Sequence, residues 1–362
     1  MKTVEITGEN FRYEVNIDEG LRFKWPRLFS NEWQSEWTRI MVISDDAVAA
    51  HYLDDVIRAA PEETPVSSFI VPSGEQAKSF SWYEEGLTAC LTHGLDRNSV
   101  ILALGGGVVG DLAGFIAATY MRGISFIQMP STFLAHDSSV GGKTGINHPL
   151  GKNMVGAFHQ PAGVVYDTSM LQTLPEKEWR SGFSEAVKHG YIQRPAFLSW
   201  LKEHVQEMED LKQADLSEIL ARSIHVKAGI VREDTFESGV RAFLNFGHTM
   251  GHALEKHLGY GKVTHGEAVA SGMIYAMTVA RHLGYQGLDP EVEADWLKNF
   301  GYEPWLFQQF DPQALLEAMK KDKKTEAAEV RMVLLEETGL PIKVPVRDED
   351  LLKCMSEPKG KR

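Results

Sequence analysis

Short apolar runs alternate with amphipathic stretches through the first half of the chain. Ile40-Met41-Val42-Ile43, Ser68-Phe69-Ile70-Val71, Val100 to Leu104, Phe126 to Met129 and Val164-Val165-Tyr166 have the length and composition of buried strands. Each run stops at small or turn-forming residues: Ser44-Asp45, Pro72-Ser73-Gly74, Gly105-Gly106-Gly107, Pro130-Ser131 and Asp167. The intervening segments Ala47 to Ala60 and Phe80 to His93 are long enough for crossover helices. Strand and helix in alternation predict a mostly parallel sheet covered on both faces, with ligands received beyond the strands' carboxyl ends.

After about residue 170 the period changes. Pro175 to Tyr191, Ala196 to Met208, Leu216 to Val231, Gly247 to His257, Glu267 to Leu283 and Pro312 to Met319 carry helical spacing, and Val330 to Leu335 is the one strand-like run. The expectation is a Rossmann-like α/β domain over residues 1–170 and a mainly α-helical domain over residues 171–362.

Composition narrows the function. The chain has 362 residues, 43% hydrophobic and 24% charged, with a net charge of −13. That surplus of acid disfavours nucleic-acid and anionic-membrane partners, which need a broad positive field. No run of eighteen apolar residues occurs, and Met1 to Val15 lacks the basic head and apolar stretch of a secretory leader. Only Cys90 and Cys354 are present, which excludes a disulfide framework and a Cys₄ zinc site. A cytoplasmic enzyme is expected, with any metal on histidine and carboxylate ligands.

Gly105, Gly107 and Gly110 satisfy G-x-G-x-x-G between a strong strand and the helix-like Leu112 to Met121. Such glycines let backbone N–H groups approach a pyrophosphate, or equally serve a tight strand-to-helix turn. The acidic residue usual about 20 positions on for a ribose hydroxyl is missing. Asp45 and Glu75, after two other strands, are better placed. Asp137 to Gly145 holds glycines beside Lys143 and Thr144 without Walker A spacing, and Gly151-Lys152-Asn153 again sets a glycine before a cation and an amide.

His248 and His252 lie four apart, on one face of a helix; His265 opens the next helical stretch; Glu185 and Lys188 lie three apart. Two imidazoles and a carboxylate suit a catalytic divalent ion, but the same spacing fits hydrogen-bonded core histidines. Arg122, Lys143, Lys152, Lys188, Lys227 and Arg241 fall in or near these segments. In an acidic chain they read either as solvated cations or as a pocket for phosphate and carboxylate groups.

Four segments then carry a resemblance: GGGVVGDLAGFIAATYMRGI (105–124), DSSVGGKTGINHPLGKNMVGAFH (137–159), GFSEAVKHGY (182–191) and RAFLNFGHTMGHALEK (241–256). In this order they resemble the 3-dehydroquinate synthase family of sugar-phosphate cyclases, over about Asp45 to Gly339. The resemblance implies a dehydroquinate synthase-like fold, NAD, and a divalent metal, Zn²⁺ or Co²⁺. It implies a lyase of the shikimate pathway to chorismate and aromatic amino acids. The implied reaction converts 3-deoxy-D-arabino-heptulosonate 7-phosphate (DAHP) to 3-dehydroquinate and phosphate by transient NAD oxidation, elimination, re-reduction and intramolecular aldol closure.

By motif, the resemblance implies metal ligands Glu185, His248 and His265. It implies substrate-site roles for Asp137, Lys143, Lys152, Asn153, Lys188, Lys227, Arg241, Asn245, His252 and Lys324 in the Lys323-Lys324 pair. Arg122 would bind phosphate in the partner subunit of a homodimer. Asp45, Ser73, Gly74, Glu75, Gln76, Lys78, Gly106, Gly107, Val108, Val109, Gly110, Asp111, Ser131 and Thr132, with Lys143 and Lys152, would serve the NAD segments. The chain departs at Ser73, Ser131 and Ser184, where the family usually has Asp, Thr and Ala. The rivals are a cyclase acting on sedoheptulose 7-phosphate or aminated DAHP, a metal-dependent polyol dehydrogenase, and a non-catalytic nucleotide-binding regulator. With nucleotide and metal segments in different domains, closure over the substrate is expected.

Overall fold

A computed structural model of the chain describes residues 1–235, 239–259, 261–322 and 329–356. The chain divides into two compact units, Met1–Leu174 and Pro175–Arg362.

The first unit holds β1 (Lys2–Gly8), β2 (Phe11–Asp18), α1 (Asn31–Ser35), β3 (Ile40–Asp45), α2 (Asp46–Arg58) and β4 (Val66–Val71). It continues with α3 (Phe80–Thr92), β5 (Val100–Gly105), α4 (Gly107–Thr119), β6 (Ser125–Pro130), α5 (Ala135–Ser138), β7 (Lys143–His148), β8 (Gly151–Phe158) and β9 (Gly163–Asp167). Seven strands form one sheet in the order β1-β2-β9-β6-β5-β3-β4. Every pairing is parallel except β1 with β2. All five predicted strands are present, but β4 is an edge strand in which only Val71 is buried, not the buried strand expected. The edge hairpin β1–β2 adds to them; its buried Val4, Ile6, Tyr13 and Val15 alternate with polar neighbours.

Successive residues of the central strands feed opposite cores, as a two-sided sheet requires. Met41, Ile43, Ile101 and Ala103 pack with Leu112 and Ile116 of α4. Ile40, Val42, Val100 and Leu102 pack with Tyr52 and Val56 of α2 and with Trp25 and Trp37. Helix α4 is apolar nearly all round because it is buried between the sheet and the separate β7–β8 hairpin. Gly114 permits this, since a Cβ there would lie 2.4 Å from Thr144 Cγ2.

The second unit holds α6 (Glu176–Ile192), α7 (Pro195–His204), α8 (Met208–Gln213), α9 (Leu216–Glu233), α10 (His248–Leu258), α11 (His265–His282), α12 (Pro290–Lys298), α13 (Pro312–Asp322), β10 (Val330–Glu337), β11 (Leu340–Val346) and α14 (Asp348–Ser356). Helix α11 is its centre, buried from Ala268 to Ala280 and packed by α6, α10, α12 and α14. The strand predicted at Val330 pairs antiparallel with β11, a partner its polar, proline-bearing sequence hides.

Cys90 and Cys354 are both buried, and burial pushes the Cys90 thiol up to about 12. A thiol-reactive dye should therefore titrate neither cysteine in the native chain at mildly alkaline pH, and both after denaturation. Fast native labelling would contradict this core.

Candidate active site

The second unit's site starts from helix ends. Gly247, at φ +82°, takes the left-handed conformation that a side chain would resist, and His248 follows as the first residue of α10. His265 opens α11 behind a capping box in which Thr264 and Glu267 bond reciprocally. Glu185 and Lys188 share one face of α6, each 1% exposed, and the Lys188 ammonium donates to Glu185 Oε2. The other carboxylate oxygen, Oε1, lies 3.7 Å from His248 Nε2 and 3.6 Å from His265 Nε2.

The three ligand atoms lie within 4.8 Å of one another. Two ligands about 2.05 Å from a tetrahedral ion would stand roughly 3.4 Å apart. Donor type and spacing therefore both fit a zinc-like ion with a position left for substrate. The His248 Nδ1–H donates to the Phe246 carbonyl at 3.2 Å, which aims Nε2 inward. Burial, reinforced by Lys188, holds the His248 imidazole well below its usual pKa. Partial burial also opposes charge on His265, but the Glu185 and Glu255 carboxylates outweigh it and push that group up to about 10. His252 follows one turn after His248, with ring centroids 5.4 Å apart.

Lys227, nearly buried, comes from α9, and Arg241 and Asn245 from the tight helical turn Val240–Asn245; both elements pack on α6. Arg241 is 1% exposed; its N–H donates to Asp234 Oδ2 at 3.0 Å and its guanidinium to the Thr235 carbonyl at 2.5 Å. Lys323 and Lys324 lie outside the described residues.

In the first unit, Asp45, Ser73, Gly105 to Gly107 and Ser131-Thr132 gather at the carboxyl ends of the adjacent strands β3, β4, β5 and β6. Helix α4 begins within the glycine run, earlier than the predicted Leu112. Its first i→i−4 bond joins Gly110 N–H to the Gly106 carbonyl at 3.0 Å, so the N–H groups of Gly107, Val108 and Val109 precede it. Those donors and the positive helix end point outward from the strand, an anion-receiving arrangement. Side chains at Gly106 and Gly107 would crowd it, with a Cβ 2.9 Å from Thr132 Cγ2 and from Ser138 Oγ respectively. The Val109 side chain is fully buried in the core, leaving only its backbone for a ligand.

Asp45 caps α2 through Val48 N–H at 3.0 Å and accepts from the Ser73 hydroxyl at 3.0 Å. Gly74, at φ +94°, and Gln76 are exposed beside it. Lys78 Nζ lies 2.6 Å from Asp111 Oδ2 and also donates to Asn153 Oδ1. Lys152 Nζ lies 3.8 Å from Glu75 Oε1. Asn147, which the sequence reading passes over, ties these together: its amide donates to Glu75 at 2.8 Å and its oxygen accepts from Asn153 N–H at 2.9 Å. Asp137 sits half-buried on α5, Lys143 is exposed at the start of β7, and Arg122 is exposed on a corner where Met121, Arg122 and Gly123 all have positive φ.

Comparisons with known proteins place the chain as a whole. Residues 68–181 match the family model of the 3-dehydroquinate synthase N-terminal domain, and residues 182–325 match that of the C-terminal domain. A 3-dehydroquinate synthase of Geobacillus thermodenitrificans is 52% identical over 357 residues, covering 98% of this chain and 97% of that protein. One from Geobacillus kaustophilus is 51% identical over 358 residues, with the same coverage. A crystal structure of 2-deoxy-scyllo-inosose synthase, complexed with carbaglucose-6-phosphate, NAD⁺ and Co²⁺, superimposes with TM-score 0.86 at 26% identity, over 98% of this chain and 99% of that one. The strand-end glycines and the two-histidine, one-carboxylate cluster thus sit in a chain that belongs to the 3-dehydroquinate synthase family.

Proposed function

We propose that the chain is a cytoplasmic, homodimeric enzyme that converts DAHP to 3-dehydroquinate and phosphate. The observation that carries this reading is near-full-length identity of about half to proteins of that name, in a chain whose Glu185, His248 and His265 converge as metal ligands would. No helix among the described residues is long and apolar enough to cross a membrane.

In this reading the first unit binds NAD⁺ and the second binds the metal. When bound, these supply a transient oxidation at one substrate carbon and polarisation of adjacent substrate oxygens. The chain's own groups do the rest. The N–H groups of Gly107 to Val109 receive the dinucleotide phosphates, with Asp45, Ser73, Gly74, Glu75, Gln76, Lys78, Asp111, Ser131 and Thr132 lining the strand ends. Lys188, Lys227 and Arg241 hold the substrate carboxylate and offset the negative charge that develops on its oxygens. Lys143, Lys152 and Arg122 receive the phosphate, while Asp137, Asn153, Asn245 and His252 orient hydroxyl groups and hold protons. Once the substrate carries its transient ketone, the adjacent C–H is acidified. The leaving phosphate's own oxygen can take that proton, so no dedicated carboxylate base is required.

A substrate panel tests the assignment. DAHP should release phosphate, whereas sedoheptulose 7-phosphate should not, and glycerol or other polyols should yield no net NADH. Turnover of sedoheptulose 7-phosphate in preference to DAHP would move the chain to another cyclase.

The exposed, left-handed corner bearing Arg122 supports its action in the partner's site. Inactive Arg122→Ala and Glu185→Gln chains, co-expressed, should regain about a quarter of wild-type activity, because half the dimers are mixed and each restores one site. No recovery would place Arg122 in its own subunit's site.

A further inference from the structure

Helix α10 carries more than two histidines. His248, His252 and Glu255 lie at i, i+4 and i+7, so all three share one face. Glu255 Oε2 stands 3.2 Å from His265 Nδ1, while the opposite ring nitrogen, Nε2, faces Glu185 Oε1 at 3.6 Å. A carboxylate oxygen can only accept, so Nδ1 carries the hydrogen, and Nε2 is left as the ring nitrogen at which a bound metal would replace the proton. His248 has the same arrangement with a neutral partner, the Phe246 carbonyl at its Nδ1.

The two partners differ in ways that matter. The Phe246 carbonyl is backbone, two residues from its histidine, and comes with the chain geometry. Glu255 reaches His265 from another helix, across ten residues of sequence that include the turn between α10 and α11. His265 is also the more exposed ring, with 31% of its side chain accessible against 13% for His248. Packing alone therefore restrains His265 less, and a directed hydrogen bond has more to do. The Glu255 side chain is 12% exposed, so its charge is only weakly screened by solvent.

We propose that Glu255 is the positioning residue of the metal centre, fixing the tautomer and ring angle of His265 and raising the basicity of its Nε2. This rests on the metal-site reading under Proposed function. Carboxylates that bond the outer nitrogen of a ligating histidine typically alter metal affinity or activity by about 10- to 100-fold.

The test measures Zn²⁺ and Co²⁺ affinity by chelator competition on the full chain, with wild type, Glu255→Ala, Glu255→Gln and His248→Ala side by side. Glu255→Ala should bind Zn²⁺ about 10- to 100-fold more weakly, and Glu255→Gln, which keeps a neutral acceptor, should fall between it and wild type. The visible absorption of the Co²⁺ form should shift in both Glu255 variants, a signature that a merely structural residue would not move. Melting temperatures without metal identify any variant that misfolds, in which case Glu255→Gln carries the test.

If wild type binds one equivalent and both Glu255 variants bind within two-fold of it with an unchanged Co²⁺ spectrum, the inference is overturned and the metal site stands. If Glu255→Gln instead removes a second equivalent of metal and leaves the first intact, Glu255 is itself a ligand and the inference is again overturned. If wild type binds no divalent ion, the metal-site reading itself fails.

Discussion

A Glu185→Gln chain should bind no divalent metal and should release phosphate from DAHP on the order of 1,000-fold more slowly than wild type. The magnitude follows from the role. A Lewis acid contributes several kcal/mol of charge stabilisation, and about 4 kcal/mol corresponds to three powers of ten in rate. Glu185 is the one carboxylate in the cluster that faces both Nε2 atoms, so an amide there removes the only negative ligand from the triad. NAD⁺ affinity, a property of the glycine-bearing first unit in this account, should be nearly unchanged. The same substitution leaves Lys188 buried without its counter-charge, and breaking a buried pair costs about 3–5 kcal/mol. Kinetics should therefore be read at a temperature where circular dichroism shows the variant folded. Metal stoichiometry near one with near-normal turnover would refute the ligand assignment.

A Gly272→Ala chain should lose about 3 kcal/mol of stability or fail to fold, although the change adds a single methyl group to a helix. The new Cβ would stand 1.9 Å from the Gly247 carbonyl oxygen and 3.0 Å from Gly251 N. Both obstacles are backbone, so no side chain can swing aside, and the start of α10 must move away from α11. Gly247 directly precedes His248, so a folded remnant should also bind metal less tightly. Gly229→Ala is the control. That position lies inside α9 with nothing within 4 Å of a new Cβ, and there alanine should stabilise by up to about 1 kcal/mol through helix propensity. Equal effects on the two urea unfolding midpoints would contradict the tight α10–α11 crossing.

The buried strands β3 and β5 announce themselves as unbroken apolar runs because both their faces are covered. Hairpin β7–β8 does not: it holds together through backbone approach at Gly145 and Gly156, where a Cβ would meet the opposite strand's carbonyl oxygen at 2.6 and 2.1 Å. Such a strand pair needs glycine, which sequence reads as loop. The placing of His248 and His252 on one helix face was visible in their spacing. Their meeting with Glu185 and His265 was not, because it depends on three helices crossing, and spacing within one segment carries no information about another. The family resemblance supplied the ligand triad, and it left out Glu255 and Asn147, whose contacts join segments distant in sequence.

A lyase of this kind borrows a hydride and returns it within one turnover. The decisive measurement gives the Zn²⁺-loaded protein DAHP with NAD⁺ far below the substrate concentration, and follows phosphate and the NADH absorbance together. Many phosphates should be released per NAD⁺, with no accumulating NADH and a product that a dehydroquinase accepts. Phosphate release that stops after one turnover per NAD⁺, with NADH rising in step, would contradict the hydride's return.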